Sequence, residues 1–102
     1  MIDRHAAILA NIRLVILRAL GGEDNETLND TILQMELERF GFARSRDFIR
    51  NQLSWLQKEV GAVRTNVQGS ATIATLTDAG RDHVLRRTVL EGVQKPSASL
   101  GN

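Results

Sequence analysis

Between Ala43 and Arg81, in the stretch ARSRDFIRNQLSWLQKEVGAVRTNVQGSATIATLTDAGR, the apolar period changes once, and that change limits what the chain can fold into. Ile49, Leu53, Leu56 and Val60 recur at intervals of four, three and four residues, so they share one stripe of an α-helix that must face a core. Asp47, Asn51, Ser54 and Lys58 fall on the opposite side, Arg46 and Arg50 on one shoulder, and Phe48 and Trp55 on the other. After Gly61 the period drops to two: Val63, Thr65 and Val67 alternate with Arg64 and Asn66. Past Gly69-Ser70, the run Ala71 to Leu76 is rich in β-branched and small residues. Glycine in a two-residue loop takes a positive φ at little cost, so a tight hairpin is expected directly after the helix.

Before this stretch the pattern is helical twice. From Asp3 to Leu20, Asp3 is the expected N-cap and Gly21-Gly22 the stop. Arg4, Asn11 and Arg18, seven apart, make one thin polar stripe on an otherwise apolar helix. A helix apolar over so much of its circumference is buried on more than one side, either under the last helix or at a homodimer interface. Arg13 and Arg18 interrupt the apolar run and no small-residue cleavage pattern follows it, so a cytoplasmic helix is expected, with no membrane segment. The acidic, turn-rich segment GGEDNETLND then leads into a second, buried amphipathic helix, with Leu28, Ile32 and Met35 on one stripe, Leu33, Leu37 and Phe40 on a neighbouring one, Asn29 as N-cap, Asp30 in its first turn and Gly41 at its end. Ser45 is the expected N-cap of the third helix. Thr77 or Asp78 starts the last helix, which is expected to pack through Val84, Leu85, Thr88 and Val89 and to leave Arg81, His83, Arg86 and Arg87 solvated.

The order helix, LQKEVGAV, hairpin, then LTDAGR opening a last helix resembles the winged helix-turn-helix domain of small bacterial regulators of the arsenical-repressor, multiple-antibiotic-resistance and phenolic-acid-repressor types. The resemblance covers roughly Ile8 to Val89, and LTDAGR is its most specific piece. One departure is that the glycine ending the third helix comes one residue later than usual, at Gly61 after Leu56. The segment RDHVLRRTVLEGVQKPS also resembles small winged-helix proteins of Mu-like bacteriophages and prophages. These resemblances imply a mainly α fold with a small hairpin, in the order α-α-α-β-β-α. The domain is expected over residues 1–91, with a flexible tail over 92–102, where the only proline and several small polar residues lie.

A chain of 102 residues fits one domain of modest stability. It has no cysteine, which excludes disulfides, thiolate metal sites and cysteine nucleophiles. Its two histidines, His5 and His83, lie near the two ends, and there is no phosphate-binding glycine loop or nucleophile elbow. Asp82 and His83 joined by His5 across a dimer would make a metal site, but solvated histidines are the simpler expectation. No enzymatic activity, cofactor or metal is therefore expected.

For nucleic acid the charge pattern is mixed. Arg44, Arg46, Arg50, Lys58 and Arg64 face only Asp47 and Glu59 in the same stretch, a local excess of three positive charges. Arg50 and Asn51 have the functional groups that read guanine and adenine edges, Ser54 can donate to bases or phosphate, and Arg44 and Arg46 suit the backbone. Against this stand Glu23, Asp24, Glu26, Asp30, Glu36 and Glu38 with no base among them, and a net charge of only +1. The expected DNA-binding residues are Arg44, Arg46, Arg50, Asn51, Ser54, Lys58 and Arg64. As the resemblance implies a homodimer of terminal helices, Ile8, Ile12, Val15, Val84 and Val89 are its expected interface. The expected function is that of a dimeric, duplex-binding transcriptional regulator of a bacterium or phage. The alternative is a winged-helix protein-interaction module that uses the acidic second helix or the Phe48 and Trp55 shoulder.

Overall fold

The first helix, α1 (Arg4–Gly21), is the element on which most others pack; Asp3 caps it by accepting a hydrogen bond from the His5 amide. A computed structural model describes residues 3–97 of the chain. Ile12, Ile16, Leu17 and Leu20 of α1 are completely or almost completely buried. They meet α2 (Asp30–Arg39), α3 (Arg46–Lys58) and a three-stranded sheet through Leu33, Leu37, Ile49, Leu53, Leu56, Val63 and Leu76. Gly22 stops α1, and a turn leads to a strand that the periodicity does not announce, β1 (Thr27–Asn29).

The caps fall where their side chains predict. Asn29 accepts from the Ile32 amide to start α2, Ser45 from Phe48 to start α3, and Thr77 from Gly80 to start α4 (Asp78–Val84). Between α3 and α4 runs the antiparallel hairpin of β2 (Val63–Gln68) and β3 (Ala71–Leu76), with Gln68 opposite Ala71 and Gly69-Ser70 as the two-residue loop. Gly69 has a φ of +60°, as that loop requires. β1 adds to the other side of β3, giving the order β1-β3-β2, all antiparallel. The chain thus has four helices and one small sheet, an α+β arrangement with element order α1-β1-α2-α3-β2-β3-α4.

LTDAGR is a junction between three elements. The Thr77 hydroxyl donates to the Gly61 carbonyl at 2.6 Å, and the Thr77 amide donates to the Ala62 carbonyl at 3.0 Å. Gly80 lies against that same Ala62 carbonyl and the Leu76 side chain, so close that an added Cβ would overlap both. Arg81 closes the junction by pairing with Asp78 at 2.6 Å and with Glu26 through its Nε at 2.7 Å. Hydrogen bonding to Arg81 holds the Glu26 carboxyl below its ordinary range, and the two carboxylates raise the Arg81 guanidinium.

The C-terminal part departs from expectation. α4 ends at Val84, and Arg86 turns the chain with a φ of 64°. Leu85, Thr88 and Val89 are consequently exposed and do not form a packing side. His83, expected in solvent, is fully buried: its Nδ1 accepts from the Leu90 amide at 3.0 Å, and its Nε2 donates to the Gln94 carbonyl at 2.9 Å. The Gln94 amide donates to the Ala10 carbonyl, and Val93 is buried in the core. Residues 92–94, expected to begin a flexible tail, are bound to α1 and α4 through these contacts; residues 98–102 lie outside the described residues. Part of the second side of α1 is thus covered within the same chain.

The Gly80 contact yields a stability prediction. Gly80→Ala forces a methyl group into backbone and should cost about 2–3 kcal/mol in urea unfolding. Gly21→Ala, whose Cβ would find its nearest neighbour at 3.7 Å, should leave stability equal or up to about 1 kcal/mol higher.

Candidate nucleic-acid interface

α3 divides its circumference into four. Ile49, Gln52, Leu53 and Leu56 face the core; Asp47, Asn51, Ser54 and Lys58 face outward. Arg46, Arg50 and Gln57 lie beside the hairpin, and Phe48 and Trp55 lie on the opposite flank. Gln57 Oε1 accepts from both the amide and the hydroxyl of Thr65, at 2.6 and 2.8 Å, which ties β2 along α3.

The hairpin side is held by a buried carboxylate. Asp30, the first residue of α2, has no solvent-exposed side-chain surface. One of its oxygens receives Arg50 Nε at 2.8 Å and Arg46 Nη2 at 3.4 Å. Both guanidinium groups also donate to the Ser70 carbonyl in the hairpin loop, Arg46 at 2.7 Å. Burial pushes the Asp30 carboxyl up. The Arg50 hydrogen bond, the Thr72 backbone N–H and the charges of both arginines outweigh it and hold the group below its ordinary range.

On the other flank Arg13 of α1 stacks on the Trp55 ring, 3.6 Å from its centroid. Its Nε donates to Gln52 at 2.9 Å and its Nη1 to the Gly92 carbonyl at 3.0 Å; burial lowers its pKa. Gly92, with a φ of +86°, passes so near Trp55 that only glycine fits. Trp55 is thereby half-buried under Arg13, and Phe48 is half-buried under Arg44.

The expected site residues separate into three groups. Asn51, Ser54 and Lys58 stand together on the outward row, and among the described residues none of them has an intramolecular side-chain partner. Arg44, at the start of the row, lies over Phe42 and Phe48 with Nη1 on the Ala43 carbonyl. Arg46 and Arg50 are engaged by Asp30 and Ser70 and keep a little over a third of their surface in water, 38% and 36%. Arg64 is exposed on the sheet face opposite to Thr65, beside Glu26, Thr75, Asp78 and Arg81, away from the α3 row.

Of the expected dimer residues, Ile12 has no exposed surface and cannot touch a partner. Ile8, Val15 and Val84 are half-buried against the core, while Val89 is exposed. Among the described residues there is no group of three or more metal-ligating side chains, and no helix is long and apolar enough to cross a membrane.

The geometry defines a small α+β domain that presents one polar helix row beside a fixed hairpin. The chain belongs to the family of a bacteriophage protein, "Uncharacterized protein gp26" of Escherichia phage Mu. It is 39% identical to that protein over 84 residues, which span 82% of this chain and 85% of the phage protein. No family model matches the chain, and no solved structure matches it.

Asp30 generates the next prediction. Asp30→Asn should lower unfolding stability by about 2 kcal/mol at pH 7, because two arginines lose their counter-charge while remaining partly hydrated. The folded-state pKa is depressed, so this contribution is complete above the unfolded value of about 4 and disappears as pH falls through the lower folded value. Urea titrations of both proteins from pH 7 to pH 2 should therefore converge at the acid end.

Proposed function

We propose that the chain is a winged-helix protein that binds duplex DNA, a phage or prophage transcriptional regulator with α3 as its recognition helix. The observation that carries this reading is the outward row of α3: Asn51, Ser54 and Lys58 are polar, have no side-chain partner among the described residues, and are flanked by a hairpin bonded to the same helix, while Asp47 at the start of the row pairs with Arg50 at 3.5 Å. The order α1-β1-α2-α3-β2-β3-α4, with sheet order β1-β3-β2, supports the winged-helix reading, with β2 and β3 as the wing.

In this reading Asn51 and Ser54 meet base edges in the major groove, and Lys58 and Arg44 meet phosphates at the two ends of the row. Arg46 and Arg50 position the wing. Asp30 between them and Asp47, 3.5 Å from Arg50, balance their two charges, so the positive potential of the row rests on Lys58 and Arg44. A homodimer would present two such helices to a palindromic site. A protein-interaction role has one specific observation in its favour: the exposed side chains of Ile32, Met35 and Phe40 on α2.

Fluorescence anisotropy with mixed duplex fragments tests the reading. Binding should weaken steeply with salt. Lys58→Ala should reduce the log–log salt slope by about 1, whereas Arg64→Ala, on the far side of β2, should leave it unchanged. Asn51→Ala should reduce discrimination between sequences more than total affinity. Absence of binding at low salt by the folded protein would refute the DNA-binding reading.

A further inference from the structure

α2 buries Leu33 and Leu37, but Ile32, Met35 and the C-cap residue Phe40, expected to be buried, keep 39%, 57% and 58% of their surface exposed. These three positions, with Glu36 and Arg39, fall at i, i+3, i+4, i+7 and i+8, so they occupy one outward face of the helix. Phe40 and Glu36 also line a groove between α2 and α1, whose α1 wall includes Leu14, Val15 and Ala19. Apolar side chains gathered on one face beside a groove mark an interaction surface rather than scattered exposure.

Its charge pattern identifies the occupant. Glu36 and Arg39 pair within the helix at 2.9 Å, at the centre of the apolar face. When a second α2 is laid antiparallel across the first about a two-fold axis, Glu36 of each copy comes opposite Arg39 of the other. The two pairs then close into a ring of alternating charge surrounded by Ile32, Met35 and Phe40. An isologous interface needs such self-complementarity. A partner carrying only acidic or only basic residues would leave one member of the pair opposed by like charge.

We propose that this face is a self-association surface, on which a second copy of the chain docks through α2 and the adjoining α1 groove. The interface replaces the one expected from the terminal helices and retains only Val15 from it. It is independent of the DNA-binding reading. A ten-residue helix and one groove make a contact at the small end of the dimer range, so dissociation on the order of micromolar is expected.

Sedimentation velocity on the full chain, without DNA, tests it. The wild-type protein should shift from monomer to dimer between about 1 and 100 µM. Met35→Glu should weaken association at least tenfold. Glu36→Arg and Arg39→Glu should each abolish it when alone, because each creates like-charge opposition across the two-fold. An equimolar mixture of those two single variants should associate again, as should the double variant E36R/R39E. Circular dichroism melts on each variant separate loss of fold from loss of contact. A wild-type monomer throughout the range would overturn the proposal, as would a dimer indifferent to Met35→Glu, or single charge variants that fail to restore one another on mixing.

Discussion

One buried carboxylate links the start of α2, the hairpin side of α3 and the hairpin loop. Asp30 is buried at the start of α2, and its oxygen receives two arginines from α3 that both reach on to the Ser70 carbonyl in the hairpin loop. This acidic group therefore adds to the shared core and the Gln57–Thr65 hydrogen bonds in holding α2, α3 and the hairpin together. A buried charge with such partners contributes less to net stability than its Coulomb energy implies, because desolvation offsets much of it. Its structural effect is geometric: the hairpin loop is hydrogen-bonded to the helix that carries the polar row. The same interaction limits function, since Arg46 and Arg50 spend much of their hydrogen-bonding capacity inside the molecule.

Local signals in the sequence were sufficient for local structure. Asp3, Asn29, Ser45 and Thr77 each cap the helix that their side chains can cap, and Gly69-Ser70 forms the expected loop. The division of α3 followed from its periodicity for Ile49, Leu53 and Leu56, whereas Val60, expected on the same stripe, lies past the helix end at Lys58, and the burial of the polar Gln52 under Arg13 was not expected. What was not legible depends on contacts distant along the chain. Three residues between turns carry no alternation to mark β1, which exists because β3 has an edge to offer. Asp30 reads as a helix-dipole residue; nothing local announces arginines 16 and 20 positions later. The burial of His83 and Val93 likewise follows from a tail segment returning to α1, a path that its polar composition conceals.

LTDAGR shows how a motif can carry fold rather than chemistry. Each of its polar groups is used within the chain: Thr77 caps α4 and binds Gly61, Gly80 allows contact with the Ala62 carbonyl, and Arg81 joins Asp78 to Glu26. The residues available to a partner lie elsewhere, on the outward row of α3 and on the apolar face of α2. These two surfaces belong to adjacent helices but have opposite chemistry, polar on one, apolar with an ion pair on the other. In the proposed account the first meets DNA and the second meets another copy.

The most direct measurement of the central claim, that the outward row of α3 is the DNA-contacting surface, is an amide chemical-shift titration of the isotopically labelled chain with a short duplex. The account predicts the largest perturbations at Asn51, Ser54 and Lys58, with smaller ones at the Gly69-Ser70 loop. Perturbations confined to α2 or α4, or none at low salt with the fold intact, would contradict it.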